Sequence, residues 1–100
     1  MKVEISFPEN EQEMIEDKEF FEKVNPGYTF TGKYIHIEFT DRYGLPYSET
    51  LAIMKGRFTP YGMARQVGNK IICARYDRYW KFDLNGNIIN LDAEDDSTDR

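Results

Sequence analysis

The chain has one histidine, His36, and one cysteine, Cys73, so chemistry that depends on these residue types has few places to occur. His36 lies on the polar face of a predicted strand, where an exposed or hydrogen-bonded structural role is the default. The alternative is a general base paired with Glu38 or Asp41. Cys73 lies in the most apolar run of the chain, which favours burial over reactivity. A lone cysteine forms no internal disulfide and is typical of a reducing, cytoplasmic setting.

One metal-binding pattern can be tested against its spacing. Asp83, Asn85 and Asn87, with Glu94, fall at positions 1, 3, 5 and 12 of a calcium loop. Position 6 of such a loop needs glycine, and this chain has Ile88 there. The flanking segments predict strands, so a hairpin turn explains the pattern better. With no phosphate loop, dinucleotide fingerprint, nucleophile elbow or zinc spacing, the sequence predicts no catalytic residue, no metal and no cofactor.

Charge is sorted along the chain. Residues 1–50 carry 11 acidic and 5 basic side chains, residues 51–91 carry 2 and 7, and residues 92–100 carry 5 and 1. The formal net charge of −5 therefore hides a basic segment between two acidic ones. Charge sorting of this kind suggests one face for an anionic partner and another for a cationic one.

The basic segment interleaves cations with aromatic residues, as in small sheets that bind single-stranded nucleic acid by stacking and phosphate contacts. The candidate residues are Arg57, Arg65, Lys70, Arg75, Arg78, Trp80 and Lys81. The same pattern arises in a half-buried sheet whose rings form the core and whose cations face solvent. No RNA-binding signature is present.

The acidic segments suggest a surface for a basic protein. The candidate residues are three glutamates of a predicted helix, two tyrosines of a predicted loop and strand, and two aspartates of the C-terminal tail: Glu16, Glu19, Glu22, Tyr43, Tyr47, Asp95 and Asp96. A solvated helix face with acids near its positive end is the simpler explanation of the glutamates.

Hydrophobic periodicity predicts one α+β domain over residues 1–91 and an acidic disordered tail over 92–100. An N-terminal strand precedes a helix over residues 11–24, capped by Asn10 and Glu13. Met14, Phe20, Phe21 and Val24 form its predicted apolar stripe, which is imperfect because Asp17 falls near its middle and Ile15 lies off it. An antiparallel meander of about five strands follows, open or partly closed into a barrel, with hairpins at Gly68-Asn69 and Asn85-Gly86, the latter a type I′ turn.

These features favour a non-enzymatic inhibitor or regulator that binds a basic protein partner through acidic and aromatic surfaces. Small size, sorted charge and missing motifs are shared with toxin-immunity and phage anti-defence proteins, an analogy of build alone. The alternative is a single-stranded nucleic-acid-binding module that uses residues 55–82. No segment has the roughly 20 apolar residues of a membrane span, and nothing in the sequence indicates an oligomeric state.

Overall fold

Alternating apolar and polar residues fold into seven strands, and one capped amphipathic segment folds into a helix. The computed structural model describes residues 2–41, 43–60, 62–75 and 78–93, with the backbone alone for Arg75, Arg78 and residues 90–93. The elements in chain order are β1 (Lys2–Ser6), α1 (Glu11–Val24), β2 (Thr29–Thr40), β3 (Pro46–Lys55), β4 (Ala64–Val67), β5 (Lys70–Arg75), β6 (Arg78–Asp83) and β7 (Ile88–Ala93).

The strands pair in chain order, β1 to β7, as one curled sheet that forms a half-barrel. The predicted α+β class and single small domain agree with this structure, but six strands follow the helix instead of about five. The prediction of an antiparallel sheet is wrong at one place. β3 and β4 run parallel, with Ile53 beside Ala64 and Met54 beside Arg65, while the other neighbours are antiparallel.

The connection between β3 and β4 is short, although the two strands are parallel. The prediction inferred antiparallel strands from short connections, and it is wrong here for that reason. Parallel neighbours usually need a crossover of a dozen or more residues. Here the paired residues lie at the very end of β3, so residues 56–63 need to carry the chain back only a short distance. Arg65 lies beneath this crossover and is only 4% exposed. A short loop therefore returns the chain in the parallel sense.

The inner face of the half-barrel holds the main core. Each strand from β1 to β6 contributes apolar side chains to it, because residues two apart on a strand share a face. Its buried members are Ile35, Ile37, Leu51, Ile53, Ala64, Ile71, Cys73, Trp80 and Phe82. The curl of the sheet places this core between the first strands and the last ones.

The helix packs on the outer face of β2 and β3. Asn10 caps it by accepting from the Glu13 backbone N–H at 2.9 Å, as predicted, although the Glu13 carboxylate reaches back to the Glu9 N–H at 3.4 Å. Met14 and Phe21 contact a second cluster of Phe30, Ala52 and Met54.

The predicted apolar stripe of the helix is wrong in part. Phe20 is 58% exposed and Val24 is 54% exposed. Asp17 lies on the packed side instead, because its carboxylate accepts a hydrogen bond from the Tyr34 hydroxyl. Burial and this carboxylate raise the pKa of Tyr34. The helix therefore contacts the sheet along a narrow line, through Met14, Asp17 and Phe21.

The β2–β3 hairpin ends in a turn that Asp41 organises. The Asp41 carboxylate accepts from the backbone N–H groups of Tyr43 at 2.8 Å and Leu45 at 2.9 Å. Gly44 donates to the Asp41 carbonyl at 3.0 Å and has φ +80°. A hydrogen bond from the N–H of residue i+3 to the carbonyl of residue i, with positive φ at residue i+3, is the pattern of three-residue hairpin loops. We call this pattern an Asp-x-x-Gly turn.

A second Asp-x-x-Gly turn closes the β6–β7 hairpin. Asp83 accepts from the N–H groups of Asn85 and Asn87, both at 2.9 Å, and Gly86 donates to its carbonyl at 3.1 Å with φ +88°. These hydrogen bonds, led by that from the Asn87 side chain, lower the pKa of Asp83. The predicted two-residue type I′ turn at Asn85-Gly86 is therefore wrong, because the aspartate carboxylate favours a three-residue loop. The Gly68-Asn69 hairpin between β4 and β5 is confirmed.

The C-terminal boundary differs slightly from the expected one. β7 continues to Ala93, which includes the first two residues assigned to the tail. Residues 94–100 lie outside the described residues, and the prediction of a disordered tail falls there. Among the described residues, no helix combines the length and the apolar character that crossing a membrane requires.

Replacing either turn glycine by alanine should lower the free energy of unfolding by about 1 kcal/mol or more, because a side chain resists positive φ. Gly86→Val should cost more than Gly86→Ala, since branching at Cβ adds crowding at a site where a Cβ would lie 3.4 Å from Val3 Cγ1. Urea unfolding measures these differences. A neutral Gly86→Val would contradict the turn assignment.

Candidate protein-binding surface

The tip of the β2–β3 hairpin presents large apolar side chains to solvent. Tyr43 is 74% exposed and Leu45 is 61% exposed. Both residues donate their backbone N–H groups to the Asp41 carboxylate, so the turn that carries them is ordered by its own hydrogen bonds. We call Tyr43 and Leu45 the hairpin tip. An ordered tip loses little conformational entropy on binding.

Aromatic packing holds the base of the same hairpin. Phe39 and Tyr47 are directly paired across β2 and β3, with ring centroids 4.7 Å apart. The Phe39 ring also meets the Trp80 ring edge-on, with centroids 5.0 Å apart. Trp80 belongs to the inner core, so these ring contacts connect the hairpin to the half-barrel. Tyr47, a predicted anchor, is half-buried in this packing, whereas Tyr43 is exposed.

The second Asp-x-x-Gly turn is an internal comparison for the first. At the positions of Tyr43 and Leu45 it has Asn85 and Asn87, which are both exposed. The two turns share the same backbone and aspartate hydrogen bonds, so this geometry forms with polar residues at those positions. The apolar tip is therefore not required by the turn. Sequence reasoning missed Leu45, although the repeated Asp-x-x-Gly spacing was a signal that could have found it.

The three predicted helix glutamates divide into two groups. Glu16 and Glu19 are exposed and form no hydrogen bond or ion pair with any described residue. Glu22 is used within the fold, because it pairs with Lys18 and accepts from the Phe30 backbone N–H at 3.0 Å. These two interactions, the Lys18 contact first, lower the pKa of Glu22. Glu22 thus ties the helix to β2.

The acidic helix and the hairpin tip do not form one continuous site. The helix is held against Phe30 and Tyr34 of β2, through Phe21 and the Asp17 hydrogen bond. The tip follows Thr40, about 20 Å further along the strand than Tyr34 at about 3.3 Å per residue. The predicted acidic and aromatic candidates therefore lie on two separate surfaces. Asp95 and Asp96 lie outside the described residues.

Two residues of the alternative nucleic-acid surface are buried. The Arg65 guanidinium donates through Nη1 to the carbonyls of Gly56 at 2.9 Å and Arg57 at 3.2 Å, and through Nε to Thr59 Oγ1 at 3.2 Å. Its Nη2 is buried and has no acceptor among the described residues. Trp80 is 7% exposed and packs inside the half-barrel. Neither side chain is placed to contact a phosphate or stack on a base.

The other basic candidates are dispersed. Arg57 is exposed and lies over the ring of Phe58, 5.3 Å from its centroid. Lys70 and Lys81 are half-buried on β5 and β6, and each has an interaction partner. The side chains of Arg75 and Arg78 lie outside the described residues, although their backbones pair at the β5–β6 hairpin. The described cations therefore form no single stripe that includes Trp80.

His36 is part of a polar network on the outer face of β1, β2 and β3. Its Nδ1 lies 2.8 Å from Thr50 Oγ1, and its Nε2 lies 3.1 Å from Glu38 Oε2 and 3.4 Å from Ser48 Oγ. These side chains belong to paired residues of β2 and β3, because His36 lies opposite Thr50 and Glu38 lies opposite Ser48. Cross-strand pairing accounts for the contacts with Thr50 and Ser48, and the contact with Glu38 joins residues two apart on one face of β2.

The environment of the single cysteine disfavours reactivity. Cys73 is fully buried in the inner core, and burial raises the pKa of its thiol. A thiol held protonated in this way is a poor nucleophile. Within the described residues, no cluster of histidine, cysteine and acidic side chains has the arrangement of a metal site.

Comparison of the chain with protein-family models, curated proteins and solved structures finds no match. Among the surfaces described above, the hairpin tip presents exposed apolar side chains that the turn geometry does not require.

A fluorescently labelled single-stranded oligonucleotide should show no micromolar binding to the protein by anisotropy at physiological salt. Arg65 and Trp80 are withdrawn from the surface, and the net charge of −5 repels phosphates. Anisotropy is the suitable readout, because buried Trp80 would not report on base stacking. Micromolar binding that weakens with salt and with Arg57→Ala would instead support the nucleic-acid alternative.

Proposed function

We propose that this chain is a non-enzymatic binding protein that docks on a partner protein through the hairpin tip and inhibits or regulates that partner. The observation that carries the proposal is the contrast between the two Asp-x-x-Gly turns. One presents Tyr43 and Leu45 where the other presents asparagines, on the same backbone. Exposed tyrosine on a rigid turn is typical of binding anchors, because it offers a large contact area at low entropic cost.

The charge distribution supports a basic partner. Residues 1–50, which include the helix and the hairpin tip, carry a net charge of −6. The electric field of this net charge raises the rate of encounter with a cationic surface, and the acidic residues need not contact that surface. The tip then determines how long the complex lasts. The acidic helix and the hairpin tip can therefore lie on separate surfaces. The helix contributes to the field that speeds encounter, whereas the tip contacts the partner and slows its release.

The remaining features fit a binding role better than catalysis. His36 lies on the outer face of the sheet within a network of polar side chains, and Cys73 is buried with a raised thiol pKa. A reducing, cytoplasmic setting remains part of the proposal, because it suits a buried free cysteine.

Capture from a cell lysate tests the proposal when matched variants are compared. Immobilised wild-type protein should retain a basic protein that the Tyr43→Asn/Leu45→Asn variant retains at least about tenfold less, because truncated anchors typically cost more than about 1 kcal/mol each. The variant converts one Asp-x-x-Gly turn into the polar form of the other, and its folded fraction is measured so that capture is compared at equal amounts of folded protein.

The matched control is Asn85→Ser/Asn87→Ser, which alters the other turn by a similar amount and should retain the same protein as wild type. Equal capture by wild type and by the tip variant, at equal folded fractions, would contradict the hairpin tip as the docking surface.

A further inference from the structure

The outward side of α1 carries an apolar pair that the fold does not bury. Phe20 and Val24 are four residues apart, so they lie one above the other on the helix surface. They are 58% and 54% exposed. The Phe20 ring meets the edge of Phe21 with centroids 5.3 Å apart, and Phe21 in turn packs on Phe30. An exposed apolar pair therefore lies on the outside of a packed aromatic cluster.

Carboxylates flank this pair on its N-terminal side. Glu16 lies one turn before Phe20 on the same side of the helix, and Glu19 lies about 100° around the helix axis from Phe20. Both glutamates are exposed and unpaired among the described residues. The helix dipole explains Glu11 and Glu13 in the first turn, but it fades within one turn and does not explain acids in mid-helix. Lys23, in the last turn, is where the dipole favours a cation.

We infer that this outward side of α1, formed by Glu16, Glu19, Phe20 and Val24, is a docking surface for a basic amphipathic helix of a partner protein. Apolar side chains of that segment would cover Phe20 and Val24, while its lysines or arginines lie over Glu16 and Glu19. Lys23 sets the orientation, because the cations of the segment must lie towards the N-terminal half of α1.

Charge selects this occupant over a second copy of the chain. Two copies of this face would together bring four glutamates (Glu16 and Glu19 twice) against two lysines (Lys23 twice) in either orientation, so a second copy leaves carboxylates unpaired where a basic segment pairs them. The surface lies about 20 Å along β2 from the hairpin tip. The inference therefore holds or fails separately from the proposed function.

A labelled peptide that repeats leucine and lysine with helical periodicity is the probe, and fluorescence anisotropy is the readout. Wild type should bind it in the micromolar range. The variants Phe20→Ser/Val24→Ser and Glu16→Gln/Glu19→Gln should each bind at least about tenfold more weakly. Circular dichroism checks that both variants are folded at the temperature of the assay, because Phe20→Ser also removes the ring contact with Phe21. The tip variant Tyr43→Asn/Leu45→Asn is the matched control and should bind the peptide as wild type does.

A scrambled peptide of the same composition separates shape from charge and should bind at least about tenfold more weakly than the patterned one. Three results would overturn the inference: no binding of the patterned peptide, equal binding of both peptides, or unchanged affinity in Phe20→Ser/Val24→Ser. Self-association of wild type that Phe20→Ser/Val24→Ser abolishes would also overturn it, since the occupant would then be a second copy.

Discussion

The buried guanidinium of Arg65 joins the two parts of this fold. β1 to β3 form one antiparallel unit and β4 to β7 form another, and the parallel contact between β3 and β4 is the only junction in the described sheet. Arg65 donates three hydrogen bonds to the crossover that makes this junction. A planar guanidinium can donate to several acceptors at once, so one side chain holds the crossover at three points. The inner core then forms across the junction, because its members come from both units.

This arrangement gives the charge pattern a structural meaning. The acidic part of the chain builds α1 and the β2–β3 hairpin, whereas the basic part builds most of the remaining sheet. Arg65 and Trp80, two of the residues that suggested nucleic-acid binding, are buried. Arg65 donates to the β3–β4 crossover, and Trp80 packs in the inner core. The exposed apolar residues of the acidic part include the hairpin tip and the outward pair on α1, together with Phe7 and Ile15.

Local patterns predicted much of this structure. Alternation and capping located the strands and the helix, because both depend on neighbouring residues. The parallel junction was not predictable in this way, since it depends on where Arg65 meets the crossover in space. The exposure of Phe20 and Val24 was missed for a similar reason: Asp17 faces the sheet because Tyr34 supplies a donor from another element. Tyr43 was proposed from its residue type, but only the geometry of two equivalent turns distinguishes it from ordinary loop residues.

Amide hydrogen exchange of the protein alone and in complex with its captured partner tests the central claim most directly. Binding at the hairpin tip should slow exchange in the turn around residues 41–47, including the N–H groups of Tyr43 and Leu45, and should leave exchange in the Asp83 turn unchanged. Protection confined to β5 and β6, with no change at the hairpin tip, would contradict it.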